Sequence, residues 1–179
     1  MKVIGVVGYP ASGKGEFSRV AGELGIPVVV MGDMIRRRVN AAGQPQTDAH
    51  IGDAARQLRA ELGMDAVAIL TAQDVDRLNA DTVVIDGIRG DAEVRYFRSH
   101  FPDFALVAVR ASFATRLARM QSRGRSDDTV TAVTLAARDA REDSFGLARA
   151  MGLAGCVIEN ESDRETYEAK VRACLRGTA

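Results

Sequence analysis

The chain has 179 residues, 46% of them hydrophobic, which suits one domain large enough to close a real core. Its 24 basic and 24 acidic residues cancel, so nothing draws the whole chain to nucleic acid or anionic lipid, and any anion site has to be local. No apolar run reaches the roughly 18 residues of a membrane span and Met1–Gly8 lacks the apolar stretch of a signal peptide, so a cytoplasmic protein with no membrane or nucleic-acid partner is expected.

Short apolar, β-branched runs recur between helical patterns: Val3–Val7, Val28–Met31, Thr82–Ile85, Ala105–Val109 and Cys156–Ile158. Their continuous apolar character fits strands covered on both faces, which predicts a doubly wound α/β domain with a parallel five-stranded sheet. The first helix carries Phe17, Val20, Ala21 and Leu24 at one face, and Gly25 stops it before Ile26–Pro27 restarts the chain as a strand. Residues 36–78 hold helix signals without a strand: Asp48 is expected to cap a helix ending at Gly63, and Asp65 to open another. Residues 121–145 form a second helical segment beyond the minimal sheet, with a helix over Thr129–Glu142. Ser162–Glu165 reads as a capping box for a last helix packed through Tyr167, Lys170, Val171 and Cys174. The two cysteines, Cys156 and Cys174, lack metal-ligand spacing and are expected as buried thiols.

Between the first strand and the first helix lies Gly8-Tyr9-Pro10-Ala11-Ser12-Gly13-Lys14-Gly15, the G-x-x-x-x-G-K (Walker A) pattern in its required strand, loop, helix setting. Glycines let the backbone curl with its N–H groups inward, the helix adds its positive end, and Lys14 reaches the β- and γ-phosphates. This P-loop points to ATP. The residue after the lysine, usually a Ser or Thr that ligates Mg²⁺, is here Gly15, followed by Glu16. Glu16 is either a favourable first-turn helix acid or a magnesium ligand through water.

Asp33 can cap the helix after the second strand, with Arg36 projecting from its first turn. Val83–Asp86 ends an apolar strand in an acid, the Walker B layout, which makes Asp86 the leading magnesium candidate. Arg89 emerges from the same strand end, in the crevice where α/β folds bind ligands, and its guanidinium suits a phosphate monoester acceptor. Five arginines and no acid lie between Arg110 and Arg125. At about 100° per residue, Phe113, Leu117 and Met120 form a packing stripe while Arg116, Arg119 and Arg123 fall on the neighbouring arc. Arg119 and Arg123 are the strongest candidates for catalytic lid arginines, with Arg125 beside them, because charge spreads over the γ-phosphoryl oxygens during transfer.

Gly32-Asp33-Met34-Ile35-Arg36 and the P-loop with its Gly15 resemble the corresponding segments of adenylate kinases, and Asp86-Gly87-Ile88-Arg89 resembles their Asp-Gly-Phe-Pro-Arg segment with one residue missing. The Val84–Arg89 and Arg123–Asp128 segments are similar, along essentially the whole chain, to the mainly archaeal adenylate-kinase-related and dephospho-CoA-kinase-like P-loop proteins. The resemblance implies a nucleotide-kinase-like P-loop NTPase fold in one domain, 1–179, with an acceptor-binding insertion at 36–78 and a lid insertion at 121–145. It also implies that Arg36, beside Asp33, contacts an acceptor phosphate, that Arg138 and Arg141 close the lid, and that Asn160 lies in a base-binding loop. The expected activity is transfer of the γ-phosphoryl of Mg-ATP to a small nucleotide-like acceptor, with an acceptor-independent ATPase or nucleotide switch as the alternative.

Overall fold

The computed structural model describes residues 1–122 and 131–177. The sheet consists of β1 (Lys2–Val7), β2 (Val28–Val30), β3 (Thr82–Ile88), β4 (Phe104–Arg110) and β5 (Cys156–Glu159), all parallel, in the spatial order β2-β3-β1-β4-β5. Each expected strand is present. Their continuous apolar character has the anticipated cause, because successive residues alternate between two covered faces. Val3, Val7, Val83, Ile85 and Ala108 face one core cluster, and Ile4, Val6, Val84, Val107 and Val109 face the other.

Helix α1 (Lys14–Glu23) and helix α9 (Arg164–Gly177) cover the second face. The first face packs against α2 (Met31–Ala41), α3 (Asp48–Leu62), α4 (Ala66–Val75), α5 (Asp91–His100) and α8 (Leu147–Gly152). Two further helices, α6 (Phe113–Ser122) and α7 (Ala132–Ser144), follow β4 and lead into α8. Gly25 ends α1 with φ +75°, and the Ile26 amide returns to the Ala21 carbonyl. Among the described residues no helix is long and apolar enough to cross a membrane.

Several local expectations are corrected. Strand β3 runs through Asp86 to Ile88, with a register shift that pairs Val6 with Asp86 and Val7 with Ile88. Gly87, at φ +97°, is the extra residue of this bulge, so Asp86 lies inside the strand and not at its tip. Helix α2 starts at Met31 with Val30 before it, which puts Asp33 in the first turn as a helix acid instead of a cap. Thr47 caps α3, its hydroxyl accepting from the His50 amide at 3.2 Å. At α9 the capping carboxylate is Asp163, which accepts from the Thr166 amide at 2.9 Å, one residue beyond the serine expected there. On α6 the buried residue is Arg116, while Phe113 is 39% exposed and Leu117 and Met120 are half-buried, so the expected stripe is not the buried face. The reason is a partner the helical period cannot supply: Arg116 binds Asp139 of α7 through both terminal nitrogens, at 2.9 and 2.7 Å.

The two thiols meet between β5 and α9, with Cys156 Sγ and Cys174 Sγ 3.6 Å apart. Burial first, then the Cys156 thiol, pushes Cys174 up to about 12, which suits a packing role over a reactive one.

Candidate functional site

The chain leaves β1 toward β2 on one side of the sheet and later crosses to β4 on the other, so the carboxyl end of β1 is the topological switch point where open α/β sheets bind ligands. There the chain turns through residues 8–13 into α1. Two conformations make this loop possible: Ala11 at φ +61° and Gly13 at φ +116°. Gly8 has no room for a side chain, since a Cβ would stand 2.5 Å from the Val109 carbonyl. Gly15 is the opposite case: beyond its chain neighbours and the backbone of its own helix, nothing described lies within 4 Å of where a Cβ would stand.

The loop is braced from behind by the end of β5 and by α9. The Asn160 amide donates to the Ser12 carbonyl at 2.8 Å, and the Tyr167 hydroxyl donates to the Gly13 carbonyl at 3.1 Å. Arg119 donates to both oxygens of Asn160, at 2.9 and 3.1 Å. Asn160, which the resemblance places in a base-binding loop, is here a buried strut of the phosphate loop. Ser12 Oγ is buried with no hydrogen-bond partner among the described residues. Pro10 accepts from Arg116, whose guanidinium lies 5.0 Å from the Tyr9 ring centre, and the Tyr9 hydroxyl donates to Asp143 at 2.8 Å.

Lys14 folds back over the loop, its ammonium donating to the Gly8 and Tyr9 carbonyls at 2.7 and 3.0 Å. Burial pushes it down to about 8; Asp86 and Glu142 oppose that shift, and Arg89 and Arg138 add to it. Those four side chains are the electrostatic surroundings of the lysine. Asp86, 9% exposed, accepts a hydrogen bond at 2.7 Å from Ser18, one helical turn beyond Lys14. Ser18 was missed by motif reading, because the hydroxyl expected directly after the lysine arrives four residues later on the same helix face. Among the described residues no cluster of three or more His, Cys, Asp or Glu could hold a metal. A magnesium ion beside Asp86 and Ser18 would fit only with phosphate oxygens and water completing its shell, which is the usual habit of that ion.

Of the two roles open to Glu16, the geometry favours the helix acid. Its carboxylate accepts from Arg19 of its own helix and from Arg164 of α9, at 2.7 and 2.8 Å, in a ladder that continues through Glu168. The Arg19 hydrogen bond, first among several, pulls Glu16 down to about 2. A carboxylate held this way contributes stability that is present above its ordinary value near 4.5 and is lost as pH falls toward 2. Glu16→Gln is expected to cost about 1 kcal/mol at pH 7, a difference that vanishes at pH 2, and to leave magnesium-dependent nucleotide affinity unchanged. Denaturation at the two pH values and a magnesium titration check it; a shifted magnesium midpoint would return Glu16 to the metal.

A small crevice of about 60 Å³ lies nearby, and two of the charges that act on Lys14, those of Arg89 and Arg138, belong to its wall. Arg59, Arg89, Arg138 and Arg141 line it, together with apolar side chains of α2, α3 and α4 and the Phe145 ring. Of the candidate acceptor residues, Arg89 is brought here, its guanidinium held by both oxygens of the buried Glu142 at 2.7 and 2.9 Å. Asp33 and Arg36 are not. They pair with each other on the exposed side of α2, because a first-turn position three residues ahead of an arginine makes a local ion pair. Arg123 and Arg125, with the whole Arg123–Asp128 segment, lie outside the described residues.

The AAA domain family matches residues 4–144. The chain is 55% identical to a UPF0200 protein of Methanoculleus marisnigri, an alignment that covers 98% of this chain and 96% of the relative. Among solved structures, TT1252 from Thermus thermophilus superposes with a TM-score of 0.67 at 19% identity, over 99% of this chain and 98% of the other. A gluconokinase from Sinorhizobium meliloti superposes at 0.60 and 18% identity, over 99% and 93%. At such identities these two likenesses concern the fold alone.

Proposed function

The chain belongs to the UPF0200 family and carries an AAA domain with a P-loop, kinase-like fold, and from that premise we propose that it is an ATP- and magnesium-dependent phosphotransferase acting on a small acceptor. One observation carries the choice of a kinase over an ATPase: four arginines line a small crevice, and two of them, Arg89 and Arg138, are among the charges that act on Lys14 of the phosphate loop. A hydrolase needs only water there, whereas a kinase needs a walled site for a second substrate.

In this reading the amides of residues 8–15 and the α1 terminus hold the β- and γ-phosphates, and Lys14 exchanges its two loop carbonyls for phosphate oxygens. Asp86, held by Ser18, orients magnesium, which when bound spreads the charge of the transferring phosphoryl group. Segment 36–78 supplies the acceptor wall, and segment 121–145 the lid, from which Arg138 and Arg141 meet the crevice. Arg119, on α6 just ahead of the lid segment, is bonded to the Asn160 strut, so movement of α6 with the lid would be felt by the loop. Adenylate-kinase-like and dephospho-CoA-kinase-like chemistry are the two finer forms of this proposal.

The test is ADP formation from ATP and magnesium across a panel of nucleoside monophosphates, nucleosides and dephospho-CoA. Stimulation of at least tenfold by one class of acceptor is expected. Hydrolysis at one rate whatever is added would replace the kinase with an ATPase.

A further inference from the structure

We propose that Arg59 grips the anionic group of the acceptor and that Glu93 is the residue that positions it; the inference rests on the phosphotransfer reading above. Motif reading passed over both residues, since neither stands in a recognised pattern. Arg59 lies on α3, 6% exposed, and forms part of the crevice wall. One terminal nitrogen donates to the Ala55 carbonyl at 3.2 Å, and the other donates to Glu93 at 2.7 Å. Its guanidinium carbon stands 4.4 Å from the centre of the Phe145 ring, which fixes the plane of the fork. These bonds commit two of the five N–H groups of the side chain.

Glu93, fully buried on α5, does more than neutralise that charge. Its second oxygen accepts from the main-chain amides of Arg89 and Gly90, at 2.8 and 3.2 Å. One carboxylate thus sets both the side chain of Arg59 and the backbone from which Arg89 projects, so two guanidiniums of one crevice are placed on a common template. A buried ion pair is weak as a stabilising device, because apolar side chains of the same volume serve as well or better. As a way of holding an arginine at the edge of a ligand crevice it has a clear use.

The rest of the wall narrows the ligand. Among the described residues it presents arginines, glycine backbone and apolar side chains, with no carboxylate, amide or hydroxyl side chain. Such a surface recognises an anion carried on an apolar or flat body, as in a phosphomonoester, and not a sugar rich in hydroxyls. Arg36, the arginine implied by resemblance, is paired with Asp33 and 47% exposed, whereas Arg59 lies in the crevice wall itself.

The experiment fills the phosphate loop with magnesium and a non-hydrolysable ATP analogue and then titrates inorganic phosphate by calorimetry. Wild type is expected to bind phosphate in this second step. Arg59→Lys keeps a cation against the buried Glu93 and so keeps the fold, yet it should weaken phosphate at least tenfold while analogue affinity stays within twofold. The double variant Arg59→Met, Glu93→Gln removes both charges together and should abolish phosphate binding without lowering the melting temperature by more than a few degrees. Glu93→Asp, which keeps the charge but shortens its reach, should recover most of the phosphate affinity lost in Glu93→Gln. Phosphate affinity within twofold of wild type in Arg59→Lys and in the double variant overturns the assignment and leaves phosphotransfer standing, as does loss in Arg36→Ala alone. Wild type that binds the analogue but no phosphate also overturns it. Absence of analogue binding removes the phosphotransferase reading and this inference with it.

Discussion

Replacing Gly13 by alanine is expected to lower stability by about 3 kcal/mol and to abolish nucleotide binding. Two costs add. The residue sits at φ +116°, where an alanine is strained by roughly 1–2 kcal/mol. Its methyl group would also overlap the amide nitrogen of Asn160, which cannot swing away because it is buried and bound to Ser12 and Arg119. The same methyl would press on the Tyr167 ring, whose hydroxyl holds the Gly13 carbonyl. For a domain of this size the melting temperature should fall by about 10 °C. Adding Asn160→Ala to Gly13→Ala removes the overlap and should recover part of the loss. A single variant that melts within 2 or 3 °C of wild type (roughly the effect of 1 kcal/mol here) would mean that the loop is not braced as described.

Lys14→Met is expected to reduce turnover at least about a hundredfold while raising stability at pH 7 by about 1–2 kcal/mol. Loss of turnover follows from losing the only ammonium poised over the phosphate loop among the described residues. The gain in stability follows from burial, which holds this lysine near 8 instead of 10.5. Between pH 8 and 10.5 the unfolded chain keeps a proton that the folded one has released, so wild-type stability rises with pH across that window. Below pH 8 both states are protonated and the full cost of burying the charge is present. Methionine removes that cost, offset in part by the loss of two hydrogen bonds to loop carbonyls. Chemical denaturation at pH 7 and pH 10 checks it: the advantage of the variant should shrink at the higher pH. A variant less stable than wild type at pH 7 would show that the ammonium is better solvated than its surroundings imply.

The two substitutions differ in what made them foreseeable. Gly13 and Lys14 belong to a contiguous pattern whose function is carried by backbone curvature, so their roles are legible from neighbours in the chain. Asp86 is legible for a related reason, as an acid in an apolar strand. Ser18, Arg59 and Glu93 are not, although each leaves a faint trace. Ser18 is one turn from Lys14, and Arg59 and Glu93 interrupt apolar helix faces beside Leu58 and Val94. Nothing local announces which distant group accepts them. The same blindness misplaced Phe113, which was read inward because the partner that draws Arg116 inside lies on another helix.

What the amino-acid order alone determined is the pattern carried by consecutive residues: five apolar strands, the helices between them, and a glycine-bearing turn that must present its amides to an anion. What only the tertiary structure decided is the pairing of polar and charged groups across long separations, Arg59 with Glu93, Arg89 with Glu142 and Asn160 with the turn itself. Backbone curvature and helical period are properties of consecutive residues, whereas a buried guanidinium takes its orientation from whichever carboxylate the packing of other helices brings within hydrogen-bond reach.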